Sequence, residues 1–83
     1  MAVGYSRNLV EANRRANAVS CGVRLGRFCI RADIPVSKIA GVLGVSRATV
    51  YHWFTGETTP APELEIRILE WMDAQDAPAK ARA

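Results

Sequence analysis

Residues 36–56 read VSKIAGVLGVSRATVYHWFTG, and the reading of this stretch decides the fold. Pro35 is tolerated at a helix start but not in a helix interior, and it pushes Ile34 towards an extended conformation. The spacing predicts a helix over 36–43, with Ile39, Ala40 and Leu43 on one apolar stripe and Ser37 and Lys38 opposite. Gly44 follows the last periodic residue, where a left-handed backbone is easiest for glycine. Val45 is an apolar residue in a turn, which fits a plug between two helices. Ser46 is a good N-cap, worth roughly 1 kcal/mol over alanine. Thr49 stands where a capping box would have an acid, so the cap lacks its reciprocal half. A second helix is expected over 47–55, with Val50, Trp53 and Phe54 as its apolar side and Gly56 as its stop.

Two short helices across such a turn have the layout of a helix-turn-helix. Arg47, Ala48, Thr49 and His52 then face away from the core near the second helix's N-terminus. Arginine can fork onto guanine, histidine can donate or accept, and small side chains permit close approach or touch a thymine methyl. Ser46, Thr49 and the first backbone amides suit phosphate oxygens.

The run LGVSRATVYHWFTGE resembles the helix-turn-helix of the lambda repressor–Cro family, also called the Xre family. The resemblance rests on the leucine-glycine-valine-serine run, on Val50 three before Trp53, and on the closing Gly56. It covers about Val19 to Met72 and is strongest from Ile39 to Gly56. It implies an all-α, four- to five-helix domain of lambda-repressor-like type that binds double-stranded operator DNA, usually as a homodimer, and regulates transcription. By position it puts Arg47, Ala48 and His52 at bases. Ser46, Thr49 and Thr55 fall at phosphates, and Lys38 is a further phosphate candidate. Two places depart from the family pattern: Phe54 stands where an acid often follows the tryptophan, and Glu57 and Thr58 stand where a basic residue often follows the glycine.

Eighty-three residues, 49% of them apolar, make one domain with a core near the small end of independent stability. Charge is segmented. Residues 1–33 hold six arginines against Glu11 and Asp33, residues 34–56 hold Lys38 and Arg47 and no acid, and residues 57–83 hold six acids against Arg67, Lys80 and Arg82. An acid-free helix-turn-helix between a basic and an acidic third fits a protein with one DNA-facing side. Cys21 and Cys29, eight residues apart on one expected helix, lie roughly 12 Å apart, too far for a disulfide. Reduced core cysteines, no apolar run of signal-peptide length and no membrane-spanning segment lead to the expectation of a cytoplasmic protein.

Upstream, residues 1–18 are expected to form a basic arm or a helix capped by Ser6. Leu9, Val10, Ala12, Ala16 and Val19 would be its broken apolar stripe, and Arg14 and Arg15 phosphate candidates. A helix is expected over 20–32, with Cys21, Leu25, Phe28, Cys29 and Ala32 inward and Arg24, Arg27 and Arg31 outward. Gly22 and Gly26 each lower helix propensity by about 1 kcal/mol against alanine, which close approach of another helix would explain. The helix-turn-helix domain spans 19–74, and its last helix, 62–74, starts at Pro62 with Glu63 and Glu65 near its positive end. Leu64, Ile68 and Trp71 are expected in the core. Ile66, Leu69 and Met72 are left over and are expected at a dimer interface. Residues 75–83 read as a disordered tail.

His52 is the single histidine, and the cysteines belong to another helix's inward side, so neither a zinc site nor a Cys–His nucleophile is expected. No enzyme activity and no cofactor are expected. Trp53 and Phe54 fit a core better than a stacking platform. Beside a phage or bacterial repressor stand three alternatives: the DNA-recognition subunit of a phage packaging or recombination machine, an autoregulating antitoxin, and a protein-interaction adaptor.

Overall fold

The computed structural model describes residues 5–82, with side-chain surroundings over 5–75. It is all-α, with no strand among the described residues. The helices are α1 (Arg7–Arg15), α2 (Cys21–Ala32), α3 (Val36–Leu43), α4 (Arg47–Phe54) and α5 (Pro62–Arg82). No helix among the described residues is long and apolar enough to cross a membrane.

Helix α2 is the axle. Cys21, Val23, Leu25, Phe28 and Cys29 are buried, and Gly22 and Gly26 face α4. A Cβ on Gly22 would lie 2.7 Å from the Cβ of Trp53, and one on Gly26 would lie 2.9 Å from Cγ of Phe54. Two glycines one turn apart therefore let the two helices meet backbone to side-chain root, which is the close approach their cost in helix propensity required. Phe54, Val50 and Trp53 bury fully or nearly so against this face, joined by Ile39 and Leu43 of α3 and Ile68 of α5. Trp71 of α5 meets Phe28 edge-on at 5.9 Å.

Helix α1 is ordered from a working Ser6 cap, whose Oγ accepts from the Leu9 amide at 3.1 Å. Its inward residue is unexpected. Asn13 is buried, while Ala12 is exposed and Val19, beyond the helix end at Arg15, is 82% exposed. The Asn13 amide donates to the carbonyls of Phe54 (2.7 Å) and Val23 (3.1 Å). An apolar side chain there would leave the Phe54 carbonyl, at the α4 C-terminus, without this partner. Tyr5 completes the seat: buried, it stacks on Phe54 at 6.1 Å and donates to the Ile34 carbonyl, and burial pushes its phenol well above the usual range.

Three helices end the same way. Asp33, Gly44 and Gly56 adopt left-handed backbones, and the amides of Ile34, Val45 and Glu57 reach back five residues to Cys29, Ala40 and His52. This is the Schellman pattern, which satisfies carbonyls a helix end leaves open. Ile34 and Val45 then pack on the core, so Val45 is the plug its sequence position implied. Ala32 is exposed, not inward: it is the last residue of α2, and after the reversal at Asp33 it is Ile34 that packs on the core. Arg27 is more than a solvated charge: its guanidinium donates at 3.0 Å to the carbonyls of both Arg14 and Ala16 at the end of α1. Arg67 does the same for Val42 of α3.

In α5, Ile68 is buried and Leu64 and Trp71 are half-buried, as expected. Ile66 and Leu69 are exposed, but Met72 packs partly on the core, because it lies one turn beyond Ile68 on the same side. The helix expected over 62–74 continues to Arg82. The tail expectation for 75–83 falls mostly on side chains outside the described set.

Gly26→Ala must displace Asn13 or Phe54 and is expected to cost about 1–3 kcal/mol in denaturant unfolding. Gly41→Ala, with nothing within 4 Å of the added methyl, is expected to gain about 0.5–1 kcal/mol. Equal effects from the two would contradict the packing described. Burial also raises the Cys29 thiol from 9.0 to about 12. Its contribution is therefore complete below pH 9 and is lost as pH rises from 9 towards 12, because the unfolded thiol ionises first. Stability measured across that window should fall less in Cys29→Ala than in the wild type.

Candidate nucleic-acid interface

Helix α4 has two unlike sides. Val50, Trp53 and Phe54 anchor it, and Arg47, Ala48, Tyr51 and His52 are exposed. Ala48 and His52 are one turn apart, so they share the outward side with Arg47 and Thr49 at the helix start. The anchoring side is fully packed, so the outward residues are held on a rigid element.

Ser46 adopts the extended N-cap conformation and its Oγ accepts from the Thr49 amide at 3.1 Å. The Thr49 hydroxyl lies 2.9 Å from the same oxygen. Thr49 thus supplies a hydroxyl where a capping box would have a carboxylate, and the first turn of α4 carries no acid. Its positive end remains uncompensated by any side-chain charge of its own turn.

The other phosphate candidates divide. Lys38 is exposed in the first turn of α3. Thr55 lies at the opposite end of α4 from Ser46, roughly 13–14 Å along the axis. Its hydroxyl is within 3.3 Å of the Tyr51 and His52 carbonyls and serves the helix end. Ser46, Arg47, Ala48, Thr49 and His52 are brought together, and Thr55 stands apart from the Ser46 end. Arg14 is engaged by Glu11 at 2.8 Å, and Arg15 lies 3.6 Å from the same carboxylate. The Arg14 guanidinium holds the Glu11 carboxyl below its usual range.

One partner was not foreseen. His52 Nε2 lies 3.3 Å from Oε2 of Glu57, and both side chains are more than half exposed. The signal was available: Gly56 at the helix stop puts residue 57 five places after His52, where the reversed chain returns over the last turn. No group of three or more His, Cys, Asp or Glu side chains that could hold a metal occurs among the described residues. The cysteines are buried, unpaired with each other, and their thiols are pushed up chiefly by burial, so neither is disposed to act as a nucleophile.

Comparison of the chain with protein-family models, with curated proteins and with solved structures found no match in any of the three.

Ser46→Ala removes the acceptor for the Thr49 amide and is expected to cost about 1 kcal/mol of stability. Thermal or denaturant unfolding of the purified variant measures it; an unchanged midpoint would remove Ser46 as the cap.

Proposed function

We propose that this protein is a sequence-specific double-stranded DNA-binding regulator of transcription, of the phage or bacterial repressor kind, acting by occupying an operator. The observation that carries this reading is the outward side of α4. Arg47, Ala48 and His52 are exposed on a helix whose far side is locked in the core. An isolated polar surface would be ordinary; a rigid, acid-free helix start with forked and small donors matches what base edges require. The absence of any acid between residues 34 and 56 removes the repulsion that phosphates would otherwise meet there. The resemblance of residues 43–57 to the lambda repressor–Cro helix-turn-helix points the same way.

In this reading Arg47 and His52 face bases, Ala48 allows close approach, and Ser46, Thr49 and Lys38 face phosphates. Exposed Ile66 and Leu69 are the surface through which two copies pair, with Met72 at its half-buried margin. A dimer places two copies of α4 in successive major grooves, roughly 34 Å apart. The work is that of a cytoplasmic protein without a cofactor and without catalysis. The same exposed pair, with Val42 at 43% exposure, is what favours the alternative of a protein-interaction adaptor.

Selection of bound sequences from random duplex DNA across a salt series is the test. The expected result is an inverted repeat with steeply salt-dependent affinity. Arg47→Ala is expected to cost about 1–3 kcal/mol on the selected site and to relax preference at one base pair of each half. Recovery of no motif, with weak binding that ignores salt, would transfer the weight to the adaptor.

A further inference from the structure

We infer that Glu57 is the positioning residue of His52 and a determinant of how selectively α4 binds; the second part rests on the DNA-binding reading above. Three of the four turns that follow helices use the same left-handed reversal, so they can be compared residue for residue. At the ends of α2 and α3 the residue after the left-handed position is apolar, Ile34 and Val45, and it packs into the core. At the end of α4 the corresponding residue is Glu57, and its neighbour across the turn is His52. The reversal that elsewhere closes a hydrophobic contact here closes a carboxylate on an imidazole.

The tie is made twice. The Glu57 amide donates to the His52 carbonyl at 2.9 Å and the Thr58 amide reaches the same oxygen at 3.3 Å, which fixes the chain. The Glu57 carboxylate then lies 3.3 Å from His52 Nε2. Exposed pairs of this kind add little to stability, so the effect is on orientation and charge. A carboxylate beside Nε2 draws the imidazole proton to that nitrogen and leaves Nδ1 as the acceptor in the neutral ring. An acceptor at this point suits the exocyclic amine of adenine or cytosine. The negative charge follows 23 residues without an acid, 34–56, and it sits at the edge of the outward side. There it opposes phosphates that make no other compensating contact, which lowers indiscriminate attachment.

Two variants separate orientation from charge. Glu57→Ala removes both, whereas Glu57→Gln keeps an acceptor at the same reach without the charge. In the free protein, nitrogen NMR of His52 should show the proton on Nε2 in the wild type. Glu57→Ala should shift the tautomer balance towards that of a free imidazole, and Glu57→Gln should largely restore the wild-type balance. On duplex DNA, Glu57→Ala should lose preference at one base pair per half-site, and both variants should bind random duplex about two- to fivefold more tightly. Identical His52 nitrogen signals in wild type and Glu57→Ala overturn the positioning role, whatever the DNA result. A wild-type motif reproduced unchanged by both variants, with unchanged affinity for random duplex, overturns the selectivity role while leaving the DNA-binding reading intact. A wild type that selects no motif removes that reading and the selectivity role with it, and the nitrogen signals still decide whether Glu57 holds His52.

Discussion

The contact between the glycine side of α2 and the Trp53–Phe54 end of α4 is what the rest of the molecule depends on. Gly22 and Gly26 bring the α2 backbone so near that a methyl at either position would overlap α4 atoms. Phe54 is then buried from every side, by Tyr5 stacking on it and by the core residues of α2 and α5. Such an approach gains dispersion contact along the helices but crowds their backbones, whose polar groups still need partners. Asn13 answers that need at the tightest point, because its amide bridges a carbonyl of each helix. Helix α1 is thereby tied to both members of the pair it covers.

Short helices make helix ends a large share of the whole. With α3 and α4 at eight residues each, half of the backbone carbonyls in either one lack an intrahelical donor. The structure meets this in two ways. Left-handed reversals at Asp33, Gly44 and Gly56 satisfy carbonyls from within the turn, and Arg27, Arg67 and Asn13 reach across from other helices. Each cross-helix donor binds an end and fixes a neighbour's position at once. The same residues that complete secondary structure therefore also set tertiary arrangement.

The outward side of α4 inherits its rigidity from this framework. Because Val50, Trp53 and Phe54 are immobilised, the position of Arg47, Ala48 and His52 relative to α3 is not adjustable by small side-chain motions. The charge pattern along the chain is preserved in space in one respect that matters. The acid-free segment supplies α3 and α4 together, and the first carboxylate after it, though solvent-exposed, lies beside His52.

Local pattern alone determined the all-α class, the starts of α3, α4 and α5, the Ser46 cap, the glycine stops and the buried side of α4. Each of these follows from the spacing of apolar residues or from the backbone preferences of proline, glycine and serine, which act within a few residues. The meaning of Gly22 and Gly26 was legible too, since two propensity-lowering residues on one helix side call for a close neighbour. The tertiary structure decided what depends on partners distant in sequence. Asn13 looked like a diluting polar residue because its acceptors lie 10 and 41 positions away. Tyr5 carried no periodic signal, and Arg27 was indistinguishable from a solvated arginine until the end of α1 was in place. Val19 was read inward because periodicity was extended past the end of α1, and Ala32, the last residue of α2, because spacing alone does not show where the core stops covering a helix. The hold of Glu57 on His52 lies between these cases: the spacing encoded it, but only the reversal at Gly56 brought the two side chains together.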